Sequence, residues 1–348
     1  MDDRHAEAAL LSYPIEEPPA PGEGIEIKPG VWWLRLPLPM ALDHVNLYAF
    51  DEGDSWTLID TGLRWPRGEK AMASLLAGPL QGRPVSRVIC THHHPDHVGF
   101  AGRFQRQGAD LWMTQVAWLT ARMLTLAVEP EHPEESVRFY KSAGMAAAML
   151  EKRLGERPFN FADVVEPMPS GYTRISEGDV VRFGNRDWDV RLGSGHAPDH
   201  ATFWSRDDEL VIVGDQVLPG ISPNIGVYPT EPEADPVAGW IASCEKLQRF
   251  AQESSFVLPG HKRPFKGLPL RLTQLIGNHH GVLERLRKHL VTPSTAGETF
   301  TAIFKREIKE SEYGLALVEA FAHCQHLYFA GEVTREINGA GAYVYSRA

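Results

Sequence analysis

The stretch THHHPDHVGF, at residues 91–100, constrains this chain more than any other part of its sequence. It places four of the chain's 15 histidines, together with one aspartate, between residues 92 and 97. The preceding segment, VSRVICT at 85–91, is apolar and β-branched, which predicts a short buried strand. Histidine and aspartate side chains gathered at the end of a buried strand indicate a metal site.

The spacing within the cluster predicts two ligand positions. His92 and His94 are two residues apart, so they project to the same side of an extended segment. Asp96 and His97 follow the turn and begin the next helix, where they face a second point. His93 lies between the first two ligands, points away from them, and is predicted to bind nothing.

Three further residues follow apolar strands later in the chain. His196 ends DWDVRLGSGH, Asp215 ends VIVGD, and His261 ends VLPGH. Each residue alone would be an ordinary polar residue closing a strand. Together they supply the ligands that four side chains cannot provide for two metal ions.

Alternating strand and helix patterns divide the chain into a mixed α/β domain with additions. The predicted parts are an acidic, proline-rich N-terminal arm at 1–24, the α/β domain at 25–265 with a helical insertion at 114–168, and a mainly helical C-terminal domain at 266–348. The arm lacks the basic and then apolar order of a signal peptide. The C-terminal domain, with three helices and a hairpin, resembles a winged helix, but residues 311–326 carry no Lys or Arg, which favours packing or a lid role.

Composition limits the kinds of binding partner and the cellular location that we expect for this chain. The net charge of −10 argues against nucleic acid, and no apolar run is long enough for a membrane span. The three cysteines are far apart and form no C-x-x-C, so we expect reduced thiols and a cytoplasmic protein. A small-molecule substrate is predicted, and a homo-oligomer is left open.

The full pattern resembles the metallo-β-lactamase superfamily over residues 25–265. The resemblance implies a four-layer αβ/βα sandwich with two divalent metal ions at the edge between its sheets. The first implied metal site comprises His92, His94 and His196; the second comprises Asp96, His97 and His261; Asp215 bridges both. In LIDTG at 58–62, the resemblance implies that Asp60 orients the histidine-rich loop without binding metal.

Within the superfamily, the sequence is most similar to the glyoxalase II (hydroxyacylglutathione hydrolase) branch. True β-lactamases lack the bridging carboxylate, flavodiiron proteins carry a glutamate and a flavodoxin domain, and RNA-processing relatives carry basic surface. The basic glutathione-binding residues of glyoxalase II do not align, so a thioester in general, or a related ester, is the expected substrate. A lactonase or a phosphoester or phosphotriester hydrolase is the alternative, and nucleic-acid processing comes third.

The implied mechanism uses a hydroxide that bridges the two metal ions and attacks a carbonyl or phosphoryl centre. Asp96 is the expected partner for the proton of this hydroxide, and Asp215 is the second expected catalytic residue. The histidine-rich ligand set favours zinc, while the two carboxylates leave iron and manganese open.

Three other residues are candidates for supporting roles. His200, four residues after His196, is predicted to support the ligands rather than to bind metal. His44, before a strand, is a candidate substrate contact. Tyr228 could donate a hydrogen bond to an oxyanion or be a buried structural tyrosine. The methionine-rich insertion is either ordinary helix core or a cap that holds an acyl chain.

Overall fold

The computed structural model describes residues 10–348, so the first nine residues of the predicted N-terminal arm lie outside the described part. The chain forms two compact units. The first comprises residues up to 128, 160–223 and 247–272, and the second comprises 129–159, 224–246 and 273–348.

The first unit contains two β-sheets. The seven-stranded sheet runs in the order β1 (Gly24–Lys28), β2 (Val31–Pro37), β3 (His44–Asp51), β4 (Trp56–Ile59), β5 (Val85–Ile89), β6 (Asp110–Met113) and β7 (Thr173–Arg174). The five-stranded sheet comprises β8 (Val180–Phe183), β9 (Arg186–Gly193), β10 (His200–Ser205), β11 (Leu210–Gly214) and β12 (Phe256–Pro259), also in chain order. In both sheets the early pairings are antiparallel, and parallel pairing begins at β4–β5 in the first and at β11–β12 in the second.

The helices, in chain order, are α1 (Pro66–Ala77), α2 (Pro95–Val98), α3 (Ala101–Arg106), α4 (Gln115–Leu126), α5 (Glu134–Ser142), α6 (Ala147–Leu154), α7 (Phe161–Val164), α8 (Pro236–Gln248), α9 (Leu268–His289), α10 (Phe300–Phe304) and α11 (Tyr313–Phe329). α1 and α2 both begin with a proline at the first helical position, where its missing N–H costs no hydrogen bond. None of the helices in residues 10–348 is long and apolar enough to cross a membrane.

Two apolar layers hold the first unit together. Between the sheets, Phe50 meets Phe183 edge to face at 5.1 Å, and Phe183 stacks on Trp188 at 4.8 Å. On the other face of the seven-stranded sheet, residues such as Leu75 of α1 and Phe104 of α3 are buried in a second cluster. The strand ends that carry the polar residues of interest are therefore anchored on fully buried apolar segments.

The second unit is mainly helical and ends in a small sheet. Strands β13 (Ser294–Thr295), β14 (Val333–Ile337) and β15 (Tyr343–Arg347) pair in the order β13-β15-β14. The predicted hairpin at 332–346 is present as β14 and β15, and β13 adds a strand that the sequence did not predict.

One helical stretch of the insertion is interrupted. The segment 133–154 forms α5 and α6, separated at Gly144, whose φ of 76° is left-handed. A side chain at this glycine would meet the Thr295 side chain, with its Cβ at 2.5 Å from the Thr295 Cβ. The break therefore comes from a glycine turn.

Candidate metal centre

The histidine-rich loop follows β5 and leads into α2, as its sequence predicts. His92 Nε2 lies 3.0 Å from His94 Nδ1, and His94 Nδ1 lies 3.0 Å from His196 Nε2. His196 reaches this point from the loop after β9, 102 residues further along the chain. These three nitrogens form one compact group of donor atoms, which we call the first donor group.

Asp96, His97 and His261 form the second donor group. The Asp96 Oδ2 atom lies 3.7 Å from His97 Nε2 and 3.4 Å from His261 Nε2. Asp96 and His97 occupy the first turn of α2, and His261 follows β12. The carboxyl ends of strands from both sheets therefore supply this group.

Asp215 lies between the two donor groups. Its Oδ2 atom is 3.5 Å from His196 Nε2 in the first group. The same oxygen is 3.1 Å from His261 Nε2 and 3.6 Å from His97 Nε2 in the second. A single carboxylate oxygen is thus within reach of donors from both groups, which is the arrangement a bridging ligand requires.

The centre suits divalent cations. His97 Nε2 and Asp215 Oδ1 are buried and have no hydrogen-bond partner among the described residues. Buried polar atoms are normally paired. Unpaired nitrogen and oxygen atoms that converge on one point therefore indicate a cation between them. Imidazole nitrogen together with carboxylate oxygen is a donor set that zinc, iron and manganese all accept.

The electrostatics of the centre favour added positive charge. Burial lowers the pKa of His261, but the carboxylates of Asp215 and Asp96 outweigh this effect and raise it to about 10. Conversely, burial raises the pKa of Asp215, and His261 and His97 outweigh it to hold that pKa well below its usual range. The carboxylates therefore hold a proton on an imidazole at the place where a metal ion would bind.

Asp60 lies behind the centre and contacts the histidine-rich loop. Its Oδ1 atom accepts the Thr91 N–H at 2.7 Å, and its Oδ2 atom is 2.8 Å from His97 Nδ1. An N–H donated from Nδ1 leaves Nε2 of His97 as the metal-facing donor. Asp60 has a left-handed φ of 59°, so the backbone adopts a disfavoured conformation to direct this carboxylate.

His200 and His93 both lie outside the donor groups. His200 is fully buried, its Nε2 accepts the Asp215 N–H at 3.1 Å, and its ring stacks on His92 at 4.6 Å. It therefore touches a residue of the first donor group and the bridging residue. His93 is buried beside His94, and its Nδ1 has no hydrogen-bond partner among residues 10–348.

His44 and Tyr228, the two candidates for substrate contact, have protein partners. The ring of His44 is buried, with Nδ1 at 2.6 Å from Asp43 Oδ1 and Nε2 accepting the Lys262 N–H at 2.9 Å. Tyr228 belongs to the second unit, where its hydroxyl donates to Asn224 Oδ1 at 3.1 Å. The His44 ring lies edge to face with the His261 ring, at 6.2 Å between centroids.

Gly260 is a residue that the sequence analysis did not single out. A Cβ at this position would lie 2.1 Å from Asp215 Oδ1 and 2.9 Å from His97 Cε1. Only glycine lets the backbone approach these ligands so closely. The available signal was the Pro-Gly-His sequence directly before a ligand, since glycine often marks a close backbone approach.

A two-sheet fold with clustered histidines and aspartates at one edge defines a metal-dependent hydrolase of the metallo-β-lactamase type. The family model described as "Metallo-beta-lactamase superfamily" matches residues 40–261. A second, described as "Metallo-beta-lactamase-like, C-terminal domain", matches residues 283–348. The chain belongs to the metallo-beta-lactamase superfamily, so the predicted family and fold class are confirmed.

Individual relatives agree with this membership. A crystal structure of a beta-lactamase domain protein from Burkholderia ambifaria is 35% identical, with a TM-score of 0.89 over 99% of this chain and 100% of that one. Probable metallo-hydrolase YqjP of Bacillus subtilis is 24% identical over 89% of this chain and 96% of that protein. Acyl-coenzyme A thioesterase MBLAC2 of Gallus gallus is 23% identical over 72% of this chain and 83% of that protein. These matches do not single out the glyoxalase II branch.

Proposed function

We propose that the chain is a binuclear metal-dependent hydrolase that acts on a thioester or a related ester. The observation that carries the proposal is the position of Asp215, whose Oδ2 lies within 3.1–3.6 Å of donor nitrogens from both groups. A structural site for one ion would not need a carboxylate shared between two sets of ligands.

In this proposal each donor group holds one ion, and zinc is the metal that the histidine-rich set favours. His92, His94 and His196 would hold the first ion, Asp96, His97 and His261 would hold the second, and Asp215 would serve as a ligand shared by the two groups. When bound, the ions would supply Lewis-acid charge and an activated water at neutral pH. Asp60 and His200 keep His97 and Asp215 in their orientations through the hydrogen bonds given above.

Asp96 is the residue that we expect to hold a proton during turnover. Its side chain is 16% exposed, compared with 7% for Asp215, so it is the carboxylate of the centre with the better access to solvent and substrate. A carboxylate at this position can accept a proton from the attacking water and later release it to the leaving group.

Two observations support an acyl thioester as the substrate. The relative named as an acyl-coenzyme A thioesterase aligns with 72% of this chain. In addition, α4 exposes Val116, Leu119, Met123 and Leu126 at helical spacing, which is apolar surface of the kind that binds acyl chains. The capping residue of α4, Thr114, donates through Oγ1 to the Asp199 carbonyl, in the loop that also carries His196.

A substrate panel tests this assignment. Acyl-coenzyme A esters, S-acylglutathiones, lactones and phosphoesters would be compared by kcat/KM with the zinc-loaded protein. We expect the highest values for acyl thioesters, and more for longer acyl chains than for acetyl. Higher values for lactones or phosphotriesters would assign the same centre to the alternative activity.

A further inference from the structure

One face of β3 holds the loop that carries His261. Residues 44, 46 and 48 alternate along the strand, so their side chains project to the same face. All three make hydrogen bonds to residues 259–262. We call these three residues, His44, Asn46 and Tyr48, the β3 clamp.

His44 contacts this loop at two points. Its carbonyl accepts the Nδ1–H of His261 at 2.7 Å, and its ring Nε2 accepts the N–H of Lys262 at 2.9 Å. Because Nε2 accepts, the ring proton is on Nδ1, which donates to Asp43 at 2.6 Å. The tautomer of His44 is therefore the one that the loop requires.

The loop adopts a conformation that needs outside support. Lys262 has a φ of 69°, in the left-handed region that non-glycine residues rarely occupy. Asn46 Nδ2 donates to the Lys262 carbonyl at 2.8 Å and to the Pro259 carbonyl at 2.9 Å. Tyr48 donates to the Pro259 carbonyl at 2.8 Å, and Trp33 Nε1 fixes Asn46 by donating to its Oδ1.

We propose that His44 is a positioning residue: its ring holds the backbone at Lys262 and thereby sets the orientation of His261 in the second donor group. This inference rests on the proposed function, because it assigns His261 to one of two ions. The first donor group takes its ligands from the loops after β5 and β9. The ring of His44 therefore acts mainly on the affinity of the ion in the second donor group, because Asp215 is the ligand that the two groups share.

Two substitutions separate the hydrogen bond from the volume of the ring. His44→Phe fills the space but removes the acceptor for the Lys262 N–H. His44→Gln places an amide oxygen near the position of Nε2 and keeps an acceptor. The carbonyl contact to His261 survives in both variants because it belongs to the backbone.

The first measurement is hydrogen–deuterium exchange at the Lys262 amide in metal-free protein. We expect exchange in His44→Phe to be at least about tenfold faster than in the unsubstituted protein, and His44→Gln to restore protection, since a lost hydrogen bond lowers the cost of local opening. Equal exchange in the unsubstituted protein and His44→Phe would overturn the proposal.

The second measurement is stepwise zinc binding, with cobalt(II) absorption as a spectroscopic reading of each site. We expect His44→Phe to weaken one equivalent by about 10–100-fold, as loss of ligand support usually does, and to weaken the other equivalent far less. His44→Gln should recover most of the affinity. Equal weakening of both equivalents, or no recovery in His44→Gln, would contradict the assignment.

Two further variants serve as controls. His323→Phe removes another buried histidine with both ring nitrogens bonded, in the second unit, and should leave both equivalents unchanged. If His44→Phe does not fold, Asp43→Ala provides a milder test. It removes the carboxylate that accepts from His44 Nδ1, at a side chain that is 80% exposed, and should weaken the same equivalent. If the unsubstituted protein binds fewer than two equivalents, the proposed function fails, while exchange at Lys262 still decides the role of His44.

Discussion

His97 is held between Asp60 and the metal centre: its Nδ1 lies 2.8 Å from Asp60 Oδ2, and its Nε2 lies 3.6 Å from Asp215 Oδ2. The ring thus has one nitrogen fixed by a carboxylate outside the donor groups and the other directed at the bridging carboxylate. Together the two contacts fix the His97 ring in the orientation that directs Nε2 at the metal centre.

Replacing Asp60 should weaken metal binding without changing a ligand. The Asp60 carboxylate accepts from the backbone N–H and the hydroxyl of Thr91 and from Nδ1 of His97. In Asp60→Asn, one of the two accepting oxygens is replaced by an NH2 group, which can only donate. We expect a loss of about 10–100-fold in the affinity of the second donor group, measured by competition with a chelator. Asp54→Asn, on the exposed β3–β4 turn, is the matched control, and an equal loss there would argue against a specific role.

Gly260→Ala should damage the centre sterically. The new methyl group would overlap with Asp215 Oδ1, at 2.1 Å, and crowd His97. We expect a loss of about 1–3 kcal/mol in the free energy of unfolding, as overpacking typically causes, together with reduced metal content. Gly171→Ala is the control, since a Cβ there meets nothing within 4 Å. Normal metal content in Gly260→Ala would show that the backbone at residue 260 does not approach Asp215 and His97 as closely as the structure indicates.

The metal-free protein should lose stability as the pH rises above neutrality. The carboxylates of the centre raise the pKa of His261 to about 10, above the value of about 6.5 for an unfolded chain. The protonated ring therefore contributes stability that is fully present below pH 6.5 and is lost as the pH rises through about 10. Thermal unfolding of chelator-treated protein between pH 6.5 and 10 tests this effect.

The zinc-loaded protein provides the comparison for this pH dependence. A histidine nitrogen bound to metal has no proton to lose. The Tm of the zinc-loaded protein should therefore fall less than that of the metal-free protein over the same pH range. A Tm of the metal-free protein that rises or stays constant between pH 6.5 and 10 would contradict the proposed charge balance of the centre.

The sequence predicted the parts of the centre that depend on local pattern. His92, His94, Asp96 and His97 share one motif, and the remaining ligands each follow an apolar strand, so strand ends could be recognised without a structure. The resemblance to a known family then gave their grouping. The contacts that support the ligands were not predictable, because His44 and His261 are 217 residues apart and meet through a backbone carbonyl.

Backbone conformation was the other missing element. Asp60 and Lys262 are non-glycine residues with left-handed φ values, and no local sequence pattern predicts such conformations. Similarly, the close approach of Gly144 to Thr295 joins residues that lie far apart along the chain. These features follow from tertiary contacts, which periodicity and turn signals do not report.

Metal stoichiometry tests the central claim most directly. Protein purified without chelator and loaded with zinc would be analysed for metal content beside Asp215→Ala, with thioester hydrolysis measured on the same samples. We predict about two equivalents of zinc in the unsubstituted protein, and fewer equivalents with no turnover in a folded Asp215→Ala. One equivalent or none in the unsubstituted protein, or full activity in Asp215→Ala, would contradict a binuclear hydrolase.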